Sequence, residues 1–375
     1  MRIGLCAYLL HAGSDYRAAG VSTYARQLIE HLPRNAPQHE YLAFVGRDAP
    51  PLPVRSVVAP APTWRAATRI GWEQAALPLL AARERVDVLH GTVNVVPLLA
   101  RQPSVVTVHD LAFVRHPERF AIAKRGYLRA AVSASTRRAA HLIAVSENTK
   151  RDLVELWNVP EEKISVVYSG VDRRYRPAAP SESMKFRNER FEGRPIILHV
   201  GTLEPRKNVD MLVRAFAGAR RELGLPHILA LVGAPGWRYQ SLFDLVRDLG
   251  LQGAVHFAGY VPPDELPDWY NASDFFAYPS VYEGFGFPVA EAMACGVPTI
   301  TTNSSALVEV AGDACVTVEP GSEEALRGAI VRLAEDGKLR VQLRERGLRR
   351  AATFSWDETA RMTAQVYDRV AGMAP

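Results

Sequence analysis

Residues 274–301 read DFFAYPSVYEGFGFPVAEAMACGVPTIT: an apolar run, a turn of glycine and aromatic residues, a short helical stretch and a second apolar run. Apolar runs of strand length separated by a helical segment point to parallel strands joined by a covering helix. Gly284 and Gly286 let the backbone approach a ligand, and Pro288 suits the start of the helix that follows. Two carboxylates flank this turn. Glu291 is expected in the first helical turn, where the helix dipole stabilises an anion whether or not anything binds. Glu283 precedes the glycines, where capping gives no reason for an acid, and a carboxylate can accept two sugar hydroxyls at once. The pair reads as hydroxyl recognition. A dinucleotide fingerprint needs a third glycine, and GFGFPV has valine there, which argues against NAD.

Outward from this stretch the same alternation repeats. Toward the N-terminus the strand candidates are RIGLCAY, YLAFVG, VDVLHG, SVVTVHD, HLIAVS and ISVVYSG; a second set runs through PIILHVG, HILALVG and AVHFAG. After the loop HAGSDYRAAG, residues Val21, Tyr24, Ala25, Leu28 and Leu32 form one apolar helical face. Leu212, Ala215, Phe216 and Ala219 form another, with Asn208 as its expected cap. Between the two sets, RRYRPAAPSESMKFRNERFEGRP (173–195) is rich in proline and charge and has little periodicity, so it reads as a linker. The fold class is therefore α/β, with two Rossmann-like doubly wound domains expected to face each other across a cleft, at 1–180 and 190–355.

At 375 residues the chain can bury two cores, and its 48% apolar and 23% charged residues are those of a soluble globular protein. No apolar run is long enough to span a bilayer, and MRIGLCAYLL reads as a first strand rather than a leader. Cys6, Cys295 and Cys315 are scattered and odd in number, which suggests neither a metal cluster nor a disulfide framework and fits a reducing cytoplasm. Charge divides unevenly. Residues 1–185 hold 25 Lys+Arg against 16 Asp+Glu, and residues 186–375 hold 20 against 24. The basic half is either a solvated surface or one that meets an anionic partner, such as a lipid phosphate or membrane face. TWRAATRIGWEQAALPLLAARERV and RHPERFAIAKRGYLRAAVSASTRR mix cations with apolar residues as a peripheral helix does, or as helices covering a sheet do. Nucleic acid is disfavoured, since no zinc-finger spacing, RNP-type aromatic signature or basic zipper pattern occurs.

Ligands of open parallel sheets sit beyond the carboxyl ends of the strands. There, TLEPRKN sets Arg206 and Lys207 side by side before a helix, either as a phosphate site or as a solubilising surface pair. His109 ends SVVTVHD; from the residues alone it is more simply a satisfied histidine beside Asp110. Ser146 reads as a helix N-cap. No Asp-x-Asp occurs to clamp a divalent metal on a nucleotide diphosphate, so metal none is the expectation and protein cations would take its place.

VGTLEPRKN, YPSVYEGFGFPVAEAMACGVPTI and LVEVAGDA resemble the donor-binding half of family 4 retaining glycosyltransferases of the GT-B fold, whose E-x7-E motif matches Glu283 and Glu291. The likeness is specific over residues 195–320. It extends more loosely through GVSTYARQL, TVHDLAF, AVSENTKRDL and SGVDRRYRP, and through FSWDETARMTAQVYDRV at the end. The resemblance implies that Arg206 and Lys207 hold the diphosphate of a sugar nucleotide and stabilise its departing charge. It implies that Glu283 and the backbone of Gly284, Phe285, Gly286 and Phe287 hold the sugar, and that Glu291 accepts the ribose hydroxyls. His109 would reach the sugar from the first domain, and Gly20 would let the first loop approach the phosphate. A last helix, 356–375, would cross back to the first domain. The implied donor is GDP-mannose, with a UDP-hexose as the alternative, and no further cofactor. The acceptor is a glycan or lipid-linked hydroxyl of surface polysaccharide or lipopolysaccharide, met in the cytoplasm or peripherally at the inner membrane face. Two other classes remain: a noncatalytic sugar-nucleotide or glycan-binding subunit, and a sugar-nucleotide epimerase on the same architecture.

Overall fold

The structure is a computed structural model that describes residues 1–11, 20–60, 63, 65–236 and 239–372. Most of the loop HAGSDYRAAG, residues 12–19, lies outside them. The chain divides into two compact units, Met1–Gly170 with Ser355–Pro375, and Val171–Phe354.

The first unit is a seven-stranded parallel sheet in the order β3-β2-β1-β4-β5-β6-β7. Its strands are β1 Arg2–Ala7, β2 Glu40–Val45, β3 Arg55–Val58, β4 Val88–Gly91, β5 Ser104–Val108, β6 His141–Ala144 and β7 Ile164–Val166. The interior strands are buried on both faces, so they appear in the sequence as continuous apolar runs. The helix Val21–Asn35 lays Tyr24, Ala25, Leu28 and Leu32 against the sheet as its spacing predicts, while Val21 stays partly exposed at the first turn. The helix Trp356–Gly372 packs into this same unit. Asp357 meets Asn35 at 2.8 Å and Arg34 at 3.1 Å, and the buried Tyr367 hydroxyl lies 2.7 Å from His90 Nδ1.

The second unit holds a six-stranded parallel sheet in the order β10-β9-β8-β11-β12-β13. These strands are β8 Ile196–Val200, β9 Ile228–Val232, β10 Val255–Gly259, β11 Phe275–Tyr278, β12 Thr299–Thr302 and β13 Val316–Val318. The strand order reverses between β8 and β11, and the loops after these two strands meet at that reversal. The helix Val209–Leu223 buries Leu212, Ala215, Phe216 and Ala219 in the core.

Two local expectations change. The segment expected as a linker contains the helix Pro180–Phe191 and belongs to the second unit. It has no apolar stripe because a few contacts hold it: Phe186 and Phe191 pack on Trp269, and Arg187 donates to the Ala272 carbonyl at 2.7 Å. Asn208 does precede the Val209–Leu223 helix, but its side chain caps nothing. It adopts a left-handed conformation, φ 57°, and its amide donates to Met211 Sδ at 3.3 Å.

Candidate active site

Arg206 and Lys207 close a single 3-10 turn, Pro205–Lys207, in the loop after β8. The loop after β11 brings Glu283 onto both. Lys207 Nζ lies 2.6 Å from Glu283 Oε1 and Arg206 Nη1 lies 2.9 Å from Glu283 Oε2. Oε1 also accepts hydrogen bonds from Ser280 at 2.5 Å and Tyr278 at 3.0 Å. Lys207 donates to the Tyr278 hydroxyl at 2.6 Å, so two of its three N–H donors are used within the cluster. Backbone ties hold the two loops together: the Val281 N–H donates to the Arg206 carbonyl at 3.0 Å, and Arg206 Nη1 donates to the Tyr282 carbonyl at 2.7 Å. Glu204 flanks Arg206 at 3.0 Å.

Glu283 is only 7% exposed. Burial by itself raises its pKa, but the Arg206 and Lys207 charges, with the hydrogen bonds from Lys207 and Ser280, outweigh burial and bring the carboxyl down to about 2. Burial and the adjacent Arg206 pull Lys207 below the usual lysine range despite its carboxylate partner. Glu283 therefore has a role that the sequence did not reveal: it is the buried counter-ion that orients both cations. Three donors crowd Oε1, which leaves Oε2 and the backbone of the turn as the places where a sugar hydroxyl can be met.

Gly286 starts the helix Phe287–Ala294 at φ 97°, and a Cβ there would lie 2.6 Å from Leu307 Cδ2. The conformation thus favours glycine at that point, and a side chain there would also force Leu307 to shift. Gly284 and Phe285 are buried, and the Phe285 ring packs on Phe287 and Phe354. Glu291 is the fifth residue of this helix, beyond the first turn, so the dipole reading of it does not hold. Tyr270 donates to its Oε2 at 2.9 Å. Burial pushes its carboxyl up to about 7, and the hydrogen bonds from Tyr270 and Tyr175 offset this only in part.

In the first unit His109 follows β5. Its ring Nε2 lies 2.9 Å from the Thr92 carbonyl, and burial keeps its pKa below the usual histidine range, with the Thr92 bond and Asp110 acting the other way. Gly20, at φ 60° and exposed, begins the Val21–Asn35 helix in a conformation that side-chain-bearing residues rarely adopt. Ser146 caps its helix, accepting the Thr149 N–H at 3.1 Å. The residues not anticipated from sequence are the supporting shell: Tyr278, Ser280, Tyr270, Tyr175, Asn94 and Thr92. Tyr278, Ser280, Thr92 and Asn94 lie at or just after strand ends, which could have marked them, whereas Tyr270 inside the helix Leu266–Ala272 and Tyr175 carry no such signal. Among the described residues no group of three or more His, Cys, Asp or Glu side chains is placed to hold a metal ion.

Residues 180–350 match the family described as glycosyl transferases group 1, and residues 18–175 match glycosyltransferase family 4. The O-antigen chain mannosyltransferase B of Escherichia coli is 32% identical over 265 residues, covering 70% of each chain. This chain belongs to the family 4 glycosyltransferases. Sucrose-phosphate synthase from Thermosynechococcus elongatus superposes at TM-score 0.81 with 21% identity, covering 100% of both chains. Anabaena HepE, solved with UDP-glucose, superposes at 0.77 with 21% identity, covering 98% of this chain and 100% of that one. The glycosyltransferase thus has the GT-B fold, two parallel-sheet Rossmann-like domains. No helix among its described residues is long and apolar enough to cross a membrane.

Proposed function

We propose that this glycosyltransferase moves a hexose, mannose foremost, from a nucleotide-diphosphate sugar to a hydroxyl of a glycan or lipid-linked acceptor in surface polysaccharide or lipopolysaccharide synthesis. One observation carries the reading: Arg206 and Lys207, oriented by the buried Glu283, stand where the strand order reverses. Preorganised cations there stabilise the negative charge that develops on a departing diphosphate, the work a divalent metal otherwise does. Glu283 Oε2 and the Gly284–Phe287 backbone hold the sugar, Glu291 the ribose, Gly20 the phosphate side, and His109 a sugar hydroxyl. In this reading no described residue of the site serves as the general base, His109 being a sugar contact. The acceptor hydroxyl approaches on the face the diphosphate leaves, its proton passes to the departing phosphate, and configuration is retained.

The mannosyl name of the Escherichia coli relative supports a GDP-mannose donor, and the UDP-glucose bound by HepE keeps a UDP-hexose as the alternative. A cytoplasmic enzyme acting at the inner membrane face is supported by the helix Ile122–Arg138, whose buried residues, Val132, Ser135 and Thr136, all lie in its second half. Its first half presents Ile122, 79% exposed, with exposed Lys124 and Arg129.

Calorimetric titration with GDP, UDP and ADP, each with and without magnesium, tests the donor reading. Selective, metal-independent binding of GDP is expected; failure of all three nucleotides to bind rejects the site. With the donor so identified, Lys207→Ala should raise the transfer barrier by about 2–4 kcal/mol. Undiminished turnover in the folded variant removes Lys207 from the mechanism.

A further inference from the structure

His109 is held from several sides, all within the first unit. Its N–H donates to Asn94 Oδ1 at 2.7 Å and its carbonyl accepts from Thr149 Oγ1 at 3.3 Å. Because a carbonyl can only accept, the contact with Thr92 O puts the ring proton on Nε2 and leaves Nδ1 as the acceptor of the neutral imidazole. The Tyr24 ring meets the imidazole edge to face, with centroids 4.7 Å apart and planes at 88°. Packing at that distance opposes the half-turn that would exchange the two ring nitrogens.

Tyr24 is itself anchored. It is fully buried on the Val21–Asn35 helix, its hydroxyl lies 3.2 Å from Thr107 Oγ1, and that oxygen lies 2.8 Å from His90 Nε2. Trp356, at the start of the C-terminal helix, backs the Tyr24 ring at 5.7 Å. A hydroxyl buried in a core and held by a threonine that is held in turn by histidine is a specified network, not loose filling.

We propose that Tyr24 is a positioning residue for His109: its ring, tied to Thr107 and backed by Trp356, holds the imidazole with Nε2–H on Thr92 and Nδ1 left to accept a hydroxyl of the transferred sugar. The functional half of this inference rests on His109 as a sugar contact, proposed above. Small displacements of a group that orients substrate cost up to about a hundredfold in rate.

The test uses the full chain and compares Tyr24→Leu, Tyr24→Phe, His109→Ala and the Tyr24→Leu/His109→Ala double variant, reading kcat, donor KM and the 15N shifts of the His109 ring. Tyr24→Leu should lower kcat about ten- to a hundredfold with donor KM within about threefold, and its His109 ring should leave the single Nε2–H tautomer. Tyr24→Phe, which keeps the ring, should recover most of the loss. In the double variant the leucine should add nothing to the loss from His109→Ala. Losses that multiply, or an unchanged His109 tautomer in folded Tyr24→Leu, overturn the positioning role. Full activity of His109→Ala instead overturns the sugar contact, and the ring shifts still decide whether Tyr24 orients the imidazole. If Tyr24→Leu does not fold, Tyr24→Met, which keeps buried apolar volume but no flat ring, takes its place: a loss absorbed by His109→Ala supports the proposal and an independent one rejects it.

Discussion

Glu283 and Glu291 are the same residue type eight positions apart, yet the fold drives them in opposite directions. Glu283 is brought down to about 2 because the nearby cations outweigh burial, and Glu291 is pushed up to about 7 because burial outweighs the tyrosine hydrogen bonds. The consequences for pH follow with opposite signs. Glu283 binds its proton less tightly folded than unfolded, so its contribution to stability is present above the ordinary carboxylate range and is lost as pH falls through about 2. Glu291 binds its proton more tightly folded, so its contribution is present below that range and is lost as pH rises through about 7. If both ribose hydroxyls donate to Glu291, only the ionised form accepts them with both oxygens. Nucleotide affinity should then rise by up to about tenfold per pH unit below 7, level off above it, and release a proton on binding. Titration from pH 6 to 8 in two buffers of different ionisation enthalpy measures this, with Glu291→Gln as the control for the phosphate's own titration. A wild-type profile matching that of Glu291→Gln takes Glu291 out of the ribose site.

The turn between β11 and the Phe287–Ala294 helix is the element on which the donor reading depends. Gly286 bears its constraint, since φ 97° strains any L-residue and an added Cβ would press on Leu307. Gly286→Ala should therefore cost about 1–3 kcal/mol in urea unfolding and raise the donor KM, because the backbone that meets the sugar moves with the turn. Unchanged stability would mean the turn tolerates another conformation. Elements of this kind were legible from sequence where a strand is buried on both faces. Arg55–Val58 was not, because it lies at a sheet edge with three of its four residues exposed. Val316–Val318 was missed because its two valines flank the exposed Thr317 within only three residues, too short a run to stand out. Pro180–Phe191 left no periodic trace because aromatic contacts with Trp269, rather than an apolar face, hold it in place.

At the scale of the molecule the two units are built differently. Val171–Phe354 is contiguous and has its own core, whereas the first unit needs Ser355–Pro375 from the far end of the chain. Gly170 marks that dependence: a Cβ on it would lie 2.2 Å from the Trp356 backbone nitrogen. Residues 171–354 produced alone should fold and bind the preferred nucleotide, while 1–170 alone should aggregate, lacking the helix whose Trp356 and Tyr367 are buried. A soluble, cooperatively melting 1–170 fragment would contradict this. Sequence alone determined the alternation of strand and helix, the doubly wound class, and the residue types at the ends of the strands, because periodicity and turn chemistry are local to a dozen or so residues. Tertiary structure decided that Lys207 and Glu283, 76 residues apart, share one buried ion pair, which carboxylate is brought down and which pushed up, and which residues hold His109. Charge and burial act through space, so a carboxylate's state depends on neighbours that no local reading of the chain brings together.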